Sequence, residues 1–161
     1  MIRKYSTKDI ENLLNLIRLN TPKYFNPKEE ADFIYYLDNE IEDYFVVEEN
    51  SVIVGCGGIN YDENNAVISW DIIHPEYSKK ENTAVISWDI IHPGHHGKGI
   101  GKKLLEYRVN FVKENSDYKT IVVRTSHLTD KFYEKLGFKL EFIKKDYWAE
   151  GYDLYQMKLE L

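Results

Sequence analysis

Ten residues, AVISWDIIHP, occur twice in this chain, at Ala66–Pro75 and again 18 positions later at Ala84–Pro93. The likeness extends outwards: Glu63–Asn64 matches Glu81–Asn82, and Lys80 matches Lys98. Both copies are rich in β-branched and aromatic residues and read as a buried strand. A sheet has one slot for such a strand, so one copy must occupy it and the other must be accommodated. The residues beyond each copy tell the two apart. After Pro93 comes GHHGKGIGKKLL, with glycines at 97, 99 and 101, whereas the first copy has Lys79 and Glu81 at the positions matching Gly97 and Gly99. The second copy is therefore expected to be the working strand. Residues 66–83 are expected to form an excursion on a long hairpin connection, because an extra strand in hairpin order would reverse the direction of the next one. Alternatively, identical strands could compete for one slot or exchange between chains. Ile68, Trp70 and Ile72 share one face of the first copy, which leaves a homodimer contact open.

The glycine loop is the segment richest in chemistry. Alternating glycines at a strand-to-helix junction allow positive φ and close approach of a ligand to the backbone. The helix start beyond them offers unpaired N–H groups and the positive end of its dipole, a place for phosphate oxygens. Lys98, Lys102 and Lys103 add positive charge. A diphosphate fits. The dinucleotide fingerprint does not, because its third glycine position falls on Lys102 or Leu104; nor does a P-loop, which needs Ser or Thr where Lys103 stands.

The rest of the chain of 161 residues reads as one domain, 1–161. MIRKYS suggests a short strand, and Ile10, Leu13, Leu14 and Ile17 mark a helix to Asn20 with Thr7 as its cap. Asn26–Pro27 starts a second helix to about Asn39. DYFVVEE and SVIVGCGGINYD form a hairpin joined at Glu49–Asn50–Ser51. After the loop, Ile100, Leu104, Tyr107 and Phe111 set the stripe of a helix, with Leu105 and Val112 beside them. YKTIVVRTS is a strand, LTDKFYEKLGF a short helix ending at Gly137, and the chain finishes with two strands. The order β-α-α-β-β-β-α-β-α-β-β predicts an α+β fold with a mixed sheet.

Net charge is −6, which disfavours a nucleic-acid partner. Between Glu29 and Glu49 there are nine acidic residues and no basic one. That segment is either a solvated face or an acidic rim that attracts a cationic substrate. With Cys56 alone no internal disulfide can form; with no signal-like or membrane-spanning run either, a cytoplasmic protein without membrane attachment is expected.

The segment HPGHHGKGIGKKLL resembles the acetyl-CoA pyrophosphate loop of the GNAT superfamily of N-acetyltransferases, whose pattern Q/R-x-x-G-x-G/A is met here from His96 to Gly101, with His in the first place. FYEKLGF, Phe132–Phe138, resembles the second signature of that superfamily, and the order of elements agrees along nearly the whole chain. The resemblance implies a mixed, mostly antiparallel sheet flanked by helices and direct acetyl transfer from acetyl-CoA to an amine. It places His96, Gly97, Lys98, Gly99, Ile100, Gly101 and Lys102 around the diphosphate. It also lays the main chain of Ile90, Ile91 and His92 along the pantetheine arm, where the strand parts from its neighbour. Tyr133 matches the general acid. Ser126 and Thr129 stand where the family often has Asn and Ala, and Ser126 keeps a hydrogen bond to the arm in reach. Asp89 and His92, on opposite faces of the strand, are candidate bases, with at most one facing the acceptor. His92, His95 and His96 make a poor tetrahedral metal site, so no metal is expected. The acceptor would be a small cationic or peptide amine, walled by segment 29–49 and by Tyr24, Phe25, Tyr35 and Tyr36. An acyl-CoA-binding module without turnover is the competing expectation.

Overall fold

The computed structural model describes residues 1–62 and 83–161. The first copy of the repeat lies outside the described residues, and the excursion expected for 66–83 is described only at Thr83. The second copy forms a strand, as its junction with the glycine loop requires.

Along the chain come β1 (Ile2–Lys4), a 3-10 turn (Thr7–Asp9), α1 (Ile10–Asn20), α2 (Glu29–Asn39), β2 (Asp43–Glu49), β3 (Val52–Asp62) and β4 (Thr83–Ile91). Next are a 3-10 turn (Pro93–His95), α3 (Ile100–Asn115), β5 (Thr120–Thr125), α4 (Asp130–Glu134), β6 (Lys139–Ala149) and β7 (Tyr152–Glu160). The seven strands make one sheet in the order β1-β2-β3-β4-β5-β7-β6. Only β4 and β5 run parallel, and the other neighbours are antiparallel. This is the mixed α+β arrangement the element order predicts. Among the described residues no helix is long and apolar enough to cross a membrane.

Local chemistry accounts for most element ends. The β2–β3 hairpin turns on Asn50 and Ser51, both at positive φ (50° and 62°), the geometry of a two-residue turn that matches strand twist. Asn26 Oδ1 accepts from Lys28 N–H at 3.0 Å while Glu29 Oε1 accepts from Asn26 N–H at 2.6 Å, which opens α2. Gly137, at φ 94°, ends the turn after α4. The cap expected at Thr7 falls elsewhere. Thr7 lies inside the 3-10 turn, and Asp9 accepts from Ser6 N–H at 2.9 Å, so the helix entrance is fastened one residue earlier.

Each face of the sheet carries its own core. On one side α3 and α4 pack Ile100, Leu104, Leu105, Val112 and Tyr133 against Phe45, Ile59, Ile86 and Val123. On the other, α1 and α2 bury Leu13, Ile17, Phe33 and Leu37 against Val46, Cys56 and Ile90. Each such side chain contributes about 1.5–3 kcal/mol on burial. The inward stripe of α3 differs from the expected one. Tyr107 is 38% exposed, and Arg108 is fully buried in line with Leu104. Free Cys56 sits inside the second core, where burial pushes its thiol up to about 12, the behaviour of a structural thiol.

Candidate active site

The sheet opens where β4 and β5 part. Their ladder runs from Thr83↔Thr120 to Ile86↔Val123 and stops, while β5 continues to Thr125 paired with β7. A β-bulge bends β4 at this point: Ser87 stands opposite Gly58 and Ile90 opposite Cys56, so Trp88 and Asp89 both face Gly57. Trp88 takes φ 48°, uncommon for a large side chain. Its carbonyl accepts from Tyr44 Oη at 3.0 Å, and its ring lies between Phe33 and Phe25, with centroids 4.9 and 6.2 Å away. These contacts hold the strained residue in place.

The bulge decides where Asp89 points. Ala84 and Ile86 face α3, and Ser87 faces α2, where its hydroxyl meets Tyr36 Oη at 2.9 Å. The extra residue sends Trp88 to the α2 side as well and turns Asp89 back towards α3 and α4. There Asp89 Oδ1 pairs with Arg108 Nη1 at 2.5 Å, and Asp89 Oδ2 accepts from the Tyr133 hydroxyl at 2.6 Å. Arg108 also donates to Gly58 O at 3.0 Å and to Leu104 O at 3.3 Å. Burial opposes the Arg108 charge, yet Asp89 outweighs it and raises the guanidinium further. Burial first, and then the Asp89 carboxylate, push the Tyr133 hydroxyl well above the usual phenol range.

A groove of about 2170 Å³ runs from the glycine loop through this opening, larger than the roughly 300–1,000 Å³ typical of a pocket for one compact ligand. At one end lie His96, Gly97, Gly99, Ile100, Gly101 and Lys102. Gly97 and Gly99 have φ of 74° and 81°, and a Cβ at either would meet nothing within 4 Å, so they are needed for conformation rather than for room. The first bond of α3 runs from Lys103 N–H to Gly99 O at 3.0 Å, which leaves the amides of Ile100, Gly101 and Lys102 ahead of the ladder. Lys98 differs from its neighbours. Its amide is taken by His95 O at 3.3 Å, and it is not part of the groove wall.

The main-chain groups divide by strand alternation. Ile90 pairs with Cys56, and His92 N–H reaches Val54 O at 2.9 Å, so both turn to β3; Ile91 turns to the opening. The Ile91 carbonyl already accepts from Asn20 Nδ2 at 3.0 Å and meets His96 Nε2 at 2.8 Å. The expectation that Ile90, Ile91 and His92 all lie along a ligand through their main chain thus narrows to Ile91, for a reason of register. The His92 ring is not brought to the groove: its Nδ1 accepts from Gly94 N–H at 3.0 Å and caps the 3-10 turn. Ser126 and Thr129 do line the groove. Ser126 Oγ accepts from Leu128 N–H at 3.3 Å, and Thr129 Oγ1 bonds Thr125 Oγ1.

At the other end the wall is aromatic and acidic. Tyr24, Phe25, Tyr36, Trp88 and Tyr152 supply rings; Glu29 and Asp32 supply carboxylates. Burial raises the Glu29 carboxyl, while the Asn26 amide pulls the other way. The Tyr152 hydroxyl donates to Pro22 O at 3.1 Å across this end. Sequence reading missed Arg108 and Asn20. Each had a signal, a charged or amide side chain spaced four residues from a buried leucine on its helix.

The model of the acetyltransferase (GNAT) family matches residues 10–138. The chain belongs to that family. This makes the protein an acetyl-CoA-dependent acyltransferase. Among solved structures, this acetyltransferase is similar to an N-acetyltransferase from Staphylococcus aureus Mu50, with TM-score 0.70 and 22% identity over 99% of this chain and 97% of the other. It is also similar to the ribosomal-protein-S18-alanine N-acetyltransferase from Escherichia coli, with TM-score 0.74 and 16% identity over 99% and 92%. A third is Naa50 from Arabidopsis thaliana in complex with the bisubstrate analogue CoA-Ac-MVNAL, with TM-score 0.70 and 18% identity over 100% and 98%. At these identities the likeness concerns the fold. No curated protein matches the chain's sequence.

Proposed function

We propose that this acetyltransferase moves the acetyl group from acetyl-CoA directly to a primary amine, a small cationic molecule or a peptide amine, within the groove. The observation that carries the reading is that one groove is lined by the glycine loop, the parted β4 edge, Tyr133, whose hydroxyl donates to Asp89, and an aromatic, acidic wall. Backbone amides of Ile100, Gly101 and Lys102 hold the diphosphate, assisted by the charge of Lys102. The open edge at Ile91 and the hydroxyl of Ser126 guide the pantetheine arm. Aromatic faces together with Glu29 and Asp32 favour a cationic acceptor.

In the transfer the nitrogen lone pair of the neutral amine attacks the thioester carbon. The C–N bond forms, and the C–S bond breaks with its electron pair going to sulfur. Tyr133 gives its proton to the thiolate, and the proton lost by nitrogen restores the phenol, directly or through water. Binding both substrates side by side supplies most of the acceleration. Asp89 faces Arg108 through Oδ1 as an ion pair and Tyr133 through Oδ2, so it serves as the partner of Tyr133, and the acceptor is deprotonated through water. Tyr133→Phe is expected to leave acetyl-CoA affinity within about twofold and to lower kcat by about 100-fold, the lower range for a general acid. Equal turnover by the two proteins would remove Tyr133 from the mechanism.

A further inference from the structure

We infer that Arg108 is a positioning residue for acetyl transfer: from inside the core it offsets the charge of Asp89, so that Tyr133 can release its proton. The inference rests on the role proposed for Tyr133. Arg108 itself is wholly buried and touches the reaction only through the carboxylate.

Three features of the backbone converge on this one contact. The bulge, with Trp88 at φ 48°, turns Asp89 towards α3. Gly57 clears the space, since a Cβ there would lie 2.2 Å from Asp89 Oδ1 and 2.6 Å from Arg108 Nη1. Gly58 O and Leu104 O fix the guanidinium at 3.0 and 3.3 Å. A purely structural purpose explains this poorly, because a buried ion pair is seldom more stabilising than apolar residues of the same size. The pair is also incompletely satisfied: among the described residues Arg108 Nη2 is buried with no hydrogen-bond partner, and Asp89 Oδ1 meets Arg108 as an ion pair without a hydrogen bond.

The charge count supplies the purpose. In the resting site Asp89 and Arg108 cancel, and the neutral phenol donates to Asp89 at 2.6 Å. When the thiolate forms it competes with Asp89 for that proton. Once the proton moves to sulfur, the Asp89–Arg108–Tyr133 trio carries one net negative charge; without Arg108 it would carry two in a buried place. Burial and Asp89 both hold the proton on Tyr133, and Arg108 pulls in the opposite direction.

The test uses hydroxylamine as acceptor, a small nucleophile that needs no fitted pocket, and monitors thiol release from acetyl-CoA. In that reaction the C–N bond of acetohydroxamate forms as the C–S bond breaks, with the proton passing from nitrogen to sulfur. Arg108→Met is expected to lower kcat by about tenfold or more with acetyl-CoA affinity unchanged, and Arg108→Lys to restore most of it. Because Arg108→Met leaves a bare, partly buried carboxylate and can fail to fold, the double variant Asp89→Asn/Arg108→Met removes both charges. It is expected to turn over faster than Tyr133→Phe, since its charge count equals that of the native site. Acceleration lost in Tyr133→Phe but unchanged in Arg108→Met overturns the role of Arg108 alone, as does a double variant no faster than Tyr133→Phe. If the native protein does not accelerate the reaction above buffer, Tyr133 and Arg108 both lose their roles.

Discussion

At the scale of single residues, the site depends on Gly57 as much as on any side chain that does chemistry. It is one of three glycines in GCGG, and its lack of a Cβ is what lets Asp89 and Arg108 meet. Gly57→Ala is expected to cost about 1–3 kcal/mol of stability, as overpacking does, and to slow turnover by parting the pair. Denaturant unfolding together with thiol release would measure both; a variant as stable and active as the native protein would show the close approach to be unimportant. The glycines of the loop were legible because a helix start demands them. The ion pair was not, because its partners Asp89 and Arg108 lie 19 positions apart and only the fold brings them together. A cation spaced four residues from Leu104 on an apolar face was the available clue.

At the scale of elements, the order of strands and helices could be read from periodicity and turn residues, and the structure agrees with it. The bulge in β4 could not be read, since Trp88 adopts a backbone normally marked by glycine, and simple alternation then fails from that residue on. The N-terminal elements carry a pH-dependent fastening. Asp9 accepts from Arg3 at 2.7 and 2.9 Å and from Ser6 N–H, tying β1 to the start of α1. The bonds from Arg3, opposed by burial and helped by Ser6, hold its carboxyl below the usual carboxylate range. A lowered native value means that this stabilisation is complete above about pH 4 and is lost as the pH falls through the native value. Asp9→Asn is therefore expected to lower the melting temperature at pH 7 by roughly 3–8 °C, for a loss of about 1–3 kcal/mol. The difference from the native protein should shrink towards pH 3. A difference that stays constant with pH would contradict the assignment.

At the scale of the whole molecule, the second copy of the repeat forms β4, and the first lies outside the described residues. Asp62 and Thr83 stand opposite each other where β3 and β4 meet. Removing residues 66–83 leaves Tyr61 and Ala84 paired across a four-residue connection, a length hairpins accept. The shortened chain is expected to fold and to bind acetyl-CoA within about twofold of the full chain, because the glycine loop is untouched. Loss of binding, measured by calorimetry, would show that the first copy supports the site.

The groove itself was partly legible, one end from the glycine loop and the other only as a cluster of acidic and aromatic residues. The most direct test of its purpose is amine-dependent thiol release from acetyl-CoA across linear polyamines, aminoglycosides and peptides with free N-termini, with neutral amines for comparison. Acetyl transfer in this groove predicts release that requires an amine and is fastest for cationic acceptors. Tight acetyl-CoA binding with no amine-dependent release across the whole series would contradict it and make the protein a binding module.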